Sequence, residues 1–237
     1  MNANIEPIAN PETVTDVRAL LAATPLFSGL DDAALSSLLP HVSVCWLAAK
    51  EILYKQGQPG GCVFLLIEGS MKLLRRNGGA REHVVRLTRP GEVIAETELF
   101  SSAGYPATAV ALEASRLLAV DAREFAACLR ANPGLAWKVM ERLGKRIEEL
   151  QAQAELLATH TAEQKVAAYL VRRYRALAPS DVVVASCCRR SDLASLLALA
   201  PETLCRVITE FKHRGWIRSE KGRIVVIDAK GLAGAAP

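Results

Sequence analysis

Residues 189–228 read RRSDLASLLALAPETLCRVITEFKHRGWIRSEKGRIVVID, and this stretch decides the fold of the C-terminal third of the chain. Its apolar spacing predicts two short helices separated by a turn, followed by a two-stranded wing. Ser191 or Asp192 is expected to cap the first helix. Pro201 stands at the first turn of the second helix, and Gly215 is expected to stop it. Together these signals are typical of a winged helix-turn-helix.

The second of these helices presents two faces of different chemistry. Glu202 and Arg206 are four residues apart and share one face. In a major groove, Arg donates two hydrogen bonds to guanine and Glu accepts one from cytosine, so the pair is suited to reading a G·C base pair. The alternative is a surface ion pair worth only about 0.2–0.5 kcal/mol. The face that we expect to be buried consists of Leu204, Val207, Ile208 and Phe211.

Positive charge is concentrated at the C-terminal end of the chain. Residues 165–237 contain 13 Lys and Arg against 6 Asp and Glu, whereas residues 1–164 contain 16 against 19. A basic segment of this kind favours a polyanionic partner, and nucleic acid is the first candidate. A merely solvated surface is the alternative interpretation.

The bulk composition indicates a globular protein. The chain has 237 residues, of which 51% are apolar and 23% charged, enough for one large domain or two of ordinary size. Its apolar runs are too short to span a bilayer, and residues 1–16 lack the pattern of a secretory signal. The six cysteines show no disulfide-framework spacing. We therefore expect a cytoplasmic protein with free thiols and no membrane partner.

Residues 42–120 have the texture of an antiparallel β-roll. Short runs of Val, Ile and Leu alternate with Gly and Pro, and Asn77-Gly78-Gly79 predicts a hairpin turn. Before this region, residues 12–24 and a segment beginning at Asp31 or Asp32 are predicted to be helical. Rolls of this kind have an apolar interior and often hold one small ligand. The predicted fold class is therefore α+β.

A long helix is predicted to start at Asn132-Pro133. Apolar residues recur in it in steps of four and three for about three heptads, a spacing typical of a helix that pairs with another helix. We interpret the stripe as the seam of a parallel two-fold dimer, and packing of the helix on its own domain is the alternative. The stripe contains Ala136, Met140, Leu143, Ile147, Leu150, Ala154 and Leu157.

Over nearly its whole length, the chain resembles transcription regulators of the CRP/FNR superfamily (cyclic-AMP-receptor and fumarate-nitrate-reductase regulators). The glycine-cornered roll, the segment MERLGKRIEELQ and the helix-turn-helix segment carry the resemblance. It implies an effector-sensing, cyclic-nucleotide-binding-like roll with N-terminal helices over residues 1–132, a dimerisation helix over 133–160 and a winged helix-turn-helix DNA-binding domain over 161–237. It further implies a homodimeric activator that binds palindromic double-stranded DNA and recruits RNA polymerase.

The resemblance also assigns DNA contacts. In the fumarate-nitrate type the motif Glu-x-x-Ser-Arg is associated with TTGAT-like half-sites, and residues 202–206 here match it with Cys205 at the Ser position. The G·C contact therefore carries over, whereas the outer T preference does not follow. Other matching positions contact phosphates or base edges, and the basic end of the second helix adds backbone attraction. The DNA-binding set is Glu202, Arg206, Thr203, Cys205, Arg190, Ser191, Lys212 and His213.

The roll departs from the cyclic-nucleotide receptors of this superfamily. Those receptors carry Gly-Glu-Leu, followed by Arg-Ser or Arg-Thr, to hold the ribose and the phosphate. Residues 95–110 here read AETELFSSAGYPATAV, so Glu96 is retained and Pro106 stands at the Arg position. Without the Arg, a cyclic phosphate loses its bidentate partner, which argues against cyclic AMP. Residues 1–44 contain no Cys, which excludes an iron–sulfur cluster of the N-terminal type.

The remaining resemblance is to nitric-oxide-responsive denitrification regulators, which share the pattern AE…F…YxATA. That group is thought to sense through haem in an apolar pocket between the roll and the dimer helix. The resemblance makes Glu96, Tyr105 and Thr108 candidate effector-pocket residues and haem a candidate cofactor. Each histidine of the chain is either a haem ligand or an ordinary structural residue, and the four are His41, His83, His160 and His213.

Other interpretations stay open from the sequence. DNA binding is independent of any effector in some members of the superfamily, and oxidation of Cys205 or of the adjacent Cys187-Cys188 is another means of control. An effector-binding adaptor without DNA function is a further class. An enzyme is not expected, because a metal oxygenase needs two or three His with a carboxylate, and the roll contains only His83, with His41 at its border.

Overall fold

In the computed structural model the chain forms two compact units, Met1–Ile147 and Glu148–Pro237, and the boundary between them falls within one long helix. The structure describes residues 4–7, 11–24, 27, 32–76, 78, 82–100, 103–175, 183–185, 189–220 and 223–237. Several residues that the sequence singles out lie outside these ranges, namely Asp31, Asn77, Gly79, Cys187 and Cys188.

The first unit is built on antiparallel strands, as predicted. It opens with β1 (Asn4–Pro7), α1 (Pro11–Ala23), α2 (Asp32–Leu38) and a 3-10 turn (Leu39–His41). The strands that follow are β2 (Val42–Leu47), β3 (Ile52–Tyr54), β4 (Cys62–Glu68), β5 (Met71–Arg76), β6 (Glu82–Thr88), β7 (Val93–Ile94), β8 (Thr108–Ala111) and β9 (Ser115–Asp121). A second 3-10 turn (Glu96–Leu99) precedes β8, and α3 (Ala122–Ala131) and α4 (Pro133–Thr159) follow β9.

The strands form two facing sheets, and strand β4 shows how they generate two cores. The sheet orders are β1-β2-β9-β4-β7 and β3-β8-β5-β6. Val63 and Leu65 of β4 belong to a core shared with the helices, whereas Phe64 and Leu66 belong to the core between the sheets. Successive side chains of a strand point to opposite faces. Both faces of β4 are therefore buried, which explains its unbroken apolar run.

The second unit contains the remaining helices and a small sheet. Its elements after α4 are α5 (Ala162–Arg175), β10 (Val183–Ala185), α6 (Arg190–Leu196), α7 (Pro201–His213), β11 (Ile217–Glu220), β12 (Arg223–Val226) and α8 (Ala229–Ala235). The predicted helix-turn-helix and wing are thus present. None of the helices within the described ranges combines the length and the apolar character needed to cross a membrane.

The end of α7 confirms the predicted glycine stop. Gly215 has φ of +73°, a left-handed conformation that glycine adopts without steric cost. Its N–H donates to Lys212 O at 2.9 Å, and the N–H of Trp216 donates to Phe211 O at 3.0 Å. These two bonds constitute a Schellman motif, which satisfies carbonyls at the helix end and turns the chain into β11.

The predicted cap of α6 is wrong. The helix begins at Arg190, and Arg189 occupies the N-cap position without a side-chain hydrogen bond to the helix. Ser191 and Asp192 therefore lie inside the first turn rather than before it. Asp192 is only 7% exposed, so its side chain is packed within the unit instead of closing the helix end.

The wing is larger than the two strands that the sequence predicts. Strand β10 pairs with β12, which gives a three-stranded sheet of order β10-β12-β11. Helix α8 was also missed. It begins at the N-cap Asp228, whose Oδ1 accepts hydrogen bonds from Lys230 N at 3.0 Å and Gly231 N at 2.9 Å. Its Leu232 is fully buried, which anchors the helix to the unit.

Gly231→Ala is expected to destabilise the second unit. A Cβ at this position would collide with the indole of Trp216 and lie 2.6 Å from Asp228 Oδ2. Overpacking of this kind costs about 1–3 kcal/mol, which urea denaturation would measure as a loss in the free energy of unfolding. Gly234→Ala in the same helix is the matched control, because its Cβ would meet no atom within 4 Å. Equal stability of the two variants would contradict this packing.

Candidate nucleic-acid interface and sensor site

Helices α6 and α7 are held together by the predicted apolar face of α7. The turn between them is closed by the N–H of Leu199, which donates to Ala194 O at 2.9 Å, and Ala198 adopts a left-handed φ of +51°. Burial of the apolar face fixes the rotation of α7 about its axis. The residues that are buried there are Leu204, Val207, Ile208 and Phe211, as predicted.

Glu202 and Arg206 are exposed on the opposite side of α7. Within the described part of the chain, no ion pair joins their side chains. Glu210 and Arg214, which have the same spacing about two turns later, do pair, with Arg214 Nε 2.8 Å from Glu210 Oε1. The interpretation of Glu202 and Arg206 as a surface ion pair therefore does not describe this structure. Both side chains keep their hydrogen-bonding groups for a partner.

Arg190 and Cys205 lie side by side across the two helices. Arg190 Nη1, at the start of α6, is 3.9 Å from Cys205 Sγ on α7. Ser191 is exposed next to Arg190, whereas Thr203 and Cys205 are half-buried along α7. The structure thus brings the predicted residues of α6 and the start of α7 onto one surface. Their role in DNA contact stays a prediction.

The end of α7 and the wing add further basic groups to the second unit. Lys212 and His213 are exposed on the last turn of α7. Lys212 and Arg218 line an open groove of about 530 Å³, together with Ile227. Sequence reasoning did not single out Arg218. Its alternation with buried Ile217 along β11 was the signal that could have found it.

The residues of the predicted dimer seam, which lie on the long helix α4, fall into a packed group and an exposed group. Leu143 packs partly against the core of the first unit, as does Ala136, so these two follow the alternative interpretation. Trp137, which the sequence did not single out, is 69% exposed. The large exposed residues of the stripe are Met140, Ile147 and Leu150 at 54%, 57% and 47%, accompanied by exposed Ala154 and half-buried Leu157.

The roll contains an ion-pair network that sequence reasoning missed. Arg86 on β6 donates to Glu96 Oε1 at 3.3 Å and to Glu92 Oε2 at 3.1 Å, and its side chain is 13% exposed. Burial lowers the pKa of this guanidinium, but the charges of Glu96 and Glu92 raise it by more, so the net shift is upward. Glu96, the carboxylate retained from the nucleotide receptors, is therefore already engaged by a cation of the protein.

Tyr105 is a core residue of the roll. It is 1% exposed and stacks on Tyr54, with ring centroids 3.9 Å apart. Its hydroxyl donates to Cys62 O at 3.3 Å and accepts from Cys62 N at 3.4 Å. Burial raises the pKa of Tyr105 to about 12. Burial also raises the pKa of Tyr54, and the charge of Glu96 adds to that shift.

The segment that holds the phosphate in cyclic-nucleotide receptors has different chemistry here. Pro106 is exposed at the position of the phosphate-binding Arg. The side chain of Thr108 is already hydrogen-bonded within the roll, since its Oγ1 accepts from Gln56 N at 3.0 Å. The carboxylate of Glu98 lies directly against Gly60, where any Cβ would collide with it. This segment therefore presents a proline and a carboxylate, which do not suit an anionic ligand.

The two histidines of the first unit do not face the interior of the roll. His41 and His83 are exposed, and His41 Nε2 lies 3.7 Å from Glu124 Oε2. His160 and His213 belong to the second unit. His41 and His83 therefore do not converge on the interior of the roll.

The buried thiols of the roll are equally poor ligands. Burial raises the pKa of Cys45 to about 12 and also raises that of Cys62, so the thiolate, the form that binds metals, is disfavoured in both. Among the residues that the structure describes, no group of three or more His, Cys, Asp or Glu is arranged to hold a metal ion. Among its described residues, the first unit thus offers neither a buried histidine nor a thiol of lowered pKa as a haem ligand.

Comparison with known proteins assigns most of the chain to two families. Residues 44–132 match the cyclic nucleotide-binding domain and residues 164–235 the Crp-like helix-turn-helix domain. The chain is 28% identical to the cyclic AMP receptor protein of Thermus thermophilus, over 88% of this chain and 95% of that protein. It is 27% identical to the transcriptional activator protein anr of Pseudomonas aeruginosa, over 78% and 77%. The structure of FixK2 from Bradyrhizobium japonicum has a TM-score of 0.75 at 20% identity, over 83% and 98%, which confirms the fold.

Arg86→Met is expected to destabilise the roll, because it leaves the carboxylate of Glu96 without its cation. Removing one partner of a buried ion pair costs about 3 kcal/mol or more, which urea unfolding would measure. Arg76→Met is the matched control, since Arg76 pairs with Glu82 at 3.1 Å with 59% of its side chain exposed. The control should cost less than about 1 kcal/mol. Similar losses in the two variants would contradict a structural role for the Arg86 network.

Proposed function

The chain belongs to the CRP/FNR family of transcription regulators, and we propose that it acts as a homodimer on palindromic double-stranded DNA. Each subunit places α7 in a major groove, where Arg206 donates to guanine and Glu202 accepts from cytosine. The observation that carries this proposal is the exposure of both side chains on one face of α7 without an ion pair between them. The basic charge of residues 165–237 supports it.

The remaining contacts of the proposed interface divide into two kinds. Arg190, Ser191, Thr203 and Cys205 lie beside the reading pair and adjust its position or contact base edges. Lys212, His213 and the wing residue Arg218 supply attraction to the phosphate backbone, which strengthens binding to any sequence. Cys205 stands where the resembled motif has Ser, and a thiol is a weaker hydrogen-bonding group than a hydroxyl. Its sulfur also contacts Arg190. The base outside the G·C pair is therefore read differently.

Dimerisation is proposed through the exposed apolar stripe of α4. Met140, Ile147 and Leu150 are all exposed, and large apolar residues at helical spacing favour burial against a partner helix. Trp137 extends the stripe toward the N-terminus of the helix. A two-fold pair of α7 helices then matches the two halves of an inverted repeat. RNA polymerase is the proposed partner on DNA, and the cytoplasm the proposed location, both on the family relationship.

Control of DNA binding is proposed to come from an effector at the roll and the adjoining dimer helix. Cyclic AMP is disfavoured by Pro106, by the carboxylate of Glu98 and by the engagement of Glu96 with Arg86. Haem-mediated sensing of nitric oxide is the expectation of the resemblance, although both histidines of the first unit are exposed. The alternatives are DNA binding without an effector and control through oxidation of Cys205, which the contact with Arg190 favours.

Arg206→Ala is expected to weaken binding to an inverted repeat of TTGAT half-sites by about 1–3 kcal/mol, because the variant loses the bidentate contact to guanine. Fluorescence anisotropy with the full-chain protein measures the loss. The same variant should bind a duplex in which the G·C pair of each half-site is replaced by A·T about as well as the wild type does.

Lys212→Ala is the matched control for this experiment. As a phosphate contact, it should weaken binding to both duplexes similarly and reduce the salt dependence of binding. Sedimentation of the wild type tests the dimer in the same buffer. Equal losses of Arg206→Ala on both duplexes, or a monomeric wild type, would contradict the proposed reading mode.

Cyclic AMP is expected to change the affinity of the protein for the inverted repeat by less than about twofold. An allosteric effector typically changes such an affinity by roughly fivefold or more. The physical reason is that no cation stands at Pro106 to bind the phosphate. Anisotropy titrations with and without millimolar nucleotide measure the effect, and the Thermus thermophilus cyclic AMP receptor protein serves as the comparison. A saturable rise in affinity would contradict the expectation. A loss of DNA affinity after peroxide treatment that is absent in the Cys205→Ser variant would instead favour control through oxidation of this thiol.

A further inference from the structure

The second unit contains a cavity that the proposed DNA-binding and sensing roles do not use. It has a volume of about 350 Å³ and lies between the C-terminal half of α4 and helix α5. Residues of both helices line this space. This volume falls in the range of cavities that bind small molecules.

The walls of the cavity are mainly apolar and well fixed. Leu156 of α4 and Ala168 and Tyr169 of α5 supply them. Tyr169 is 3% exposed, and its hydroxyl accepts a hydrogen bond from Arg173 Nε at 3.2 Å, with the Arg173 guanidinium 5.7 Å from the ring centroid. The aromatic wall is therefore held in one orientation, as a preformed binding surface requires.

Arg172 supplies a positive charge to the rim of the cavity. Its guanidinium is always charged and presents a planar fork that matches a carboxylate. In the part of the chain that the structure describes, Arg172 forms no ion pair. A carboxylate from outside the unit therefore finds a guanidinium that is not held in an ion pair, although Glu155 of α4 lines the same cavity.

His160 and Glu155, on the α4 side, limit the charge that the cavity accepts. Thr159 Oγ1 donates to Glu155 O at 2.9 Å and lies 2.7 Å from His160 Nδ1. One hydroxyl hydrogen cannot serve both bonds, so Nδ1 of a neutral His160 carries the proton and Nε2 is an acceptor. Because the charges of Arg172 and Glu155 cancel, the lining disfavours a doubly charged phosphate more than a ligand with a single negative charge.

We propose that this cavity binds a small amphipathic carboxylate. The carboxylate group lies on Arg172, and the apolar body lies against Leu156, Ala168 and the ring of Tyr169. The site is distinct from the roll and from the exposed face of α7. Because it joins the end of α4 to the first helix of the DNA-binding region, occupancy would stiffen this helix pair whether or not the roll carries an effector.

Isothermal titration of the full-chain protein with octanoate tests the proposal. Saturable binding of one octanoate per chain is expected, and octanamide, which has the same body without the charge, should bind at least about tenfold more weakly. Phenylacetate as a third probe decides between an aliphatic and an aromatic body. Binding of octanoate and octanamide with equal affinity would overturn the proposal, as would the absence of saturable octanoate binding.

Two variants locate the site. Arg172→Gln should weaken octanoate binding by about tenfold or more through loss of the charge-assisted bond, and Ala168→Phe should abolish it by filling the cavity. Arg175→Gln is the matched control, because Arg175 is exposed on the same last turn of α5 and does not line the cavity. An octanoate affinity of Arg172→Gln equal to that of the wild type would overturn the proposal. Failure of the protein to bind DNA would leave this result unaffected, since the readout is octanoate binding alone.

Discussion

Burial of one side of α7 is the constraint on which the functional surface depends. Leu204, Ile208 and Phe211 are at most 1% exposed, and a helix advances about 100° per residue, so their burial sets the direction of every other side chain on the helix. Glu202 and Arg206 point to solvent for this reason rather than through any contact of their own. The Schellman motif at Gly215 fixes where α7 ends and therefore where the wing begins.

The roll illustrates how a fold persists while its ligand chemistry changes. The two sheets close over a core in which Tyr54 stacks on Tyr105, and Tyr105 is hydrogen-bonded to the main chain of Cys62. Such a core maintains the architecture independently of any bound nucleotide. The polar groups beside it are paired with one another, as Arg86 is with Glu96. Membership of the family thus follows from the scaffold, whereas the effector depends on a few side chains whose chemistry differs here.

Helix α4 shows why a periodic stripe cannot by itself define an interface. A heptad pattern is satisfied equally by a partner helix and by the core of the same unit. Leu143 packs against the core of its own unit. Leu135 and Val139 are buried in that core and bring the neighbouring turn of the helix against it. Met140 and Ile147 belong to the same stripe as Leu143 but remain exposed. Only the positions of the surrounding elements separate the two groups.

The sequence alone determined the order of the domains, the antiparallel roll, the start of α4 at Pro133 and the amphipathic division of α7, because these features rest on local periodicity and on Pro and Gly at helix ends. It did not reveal the cap of α6, the strand β10 beside β12, or Arg86 between Glu92 and Glu96. Each of these depends on which distant segments meet in space. Hydrogen-bonded strands and buried charges are selected by their partners, and partners far apart along the chain leave no local pattern to read.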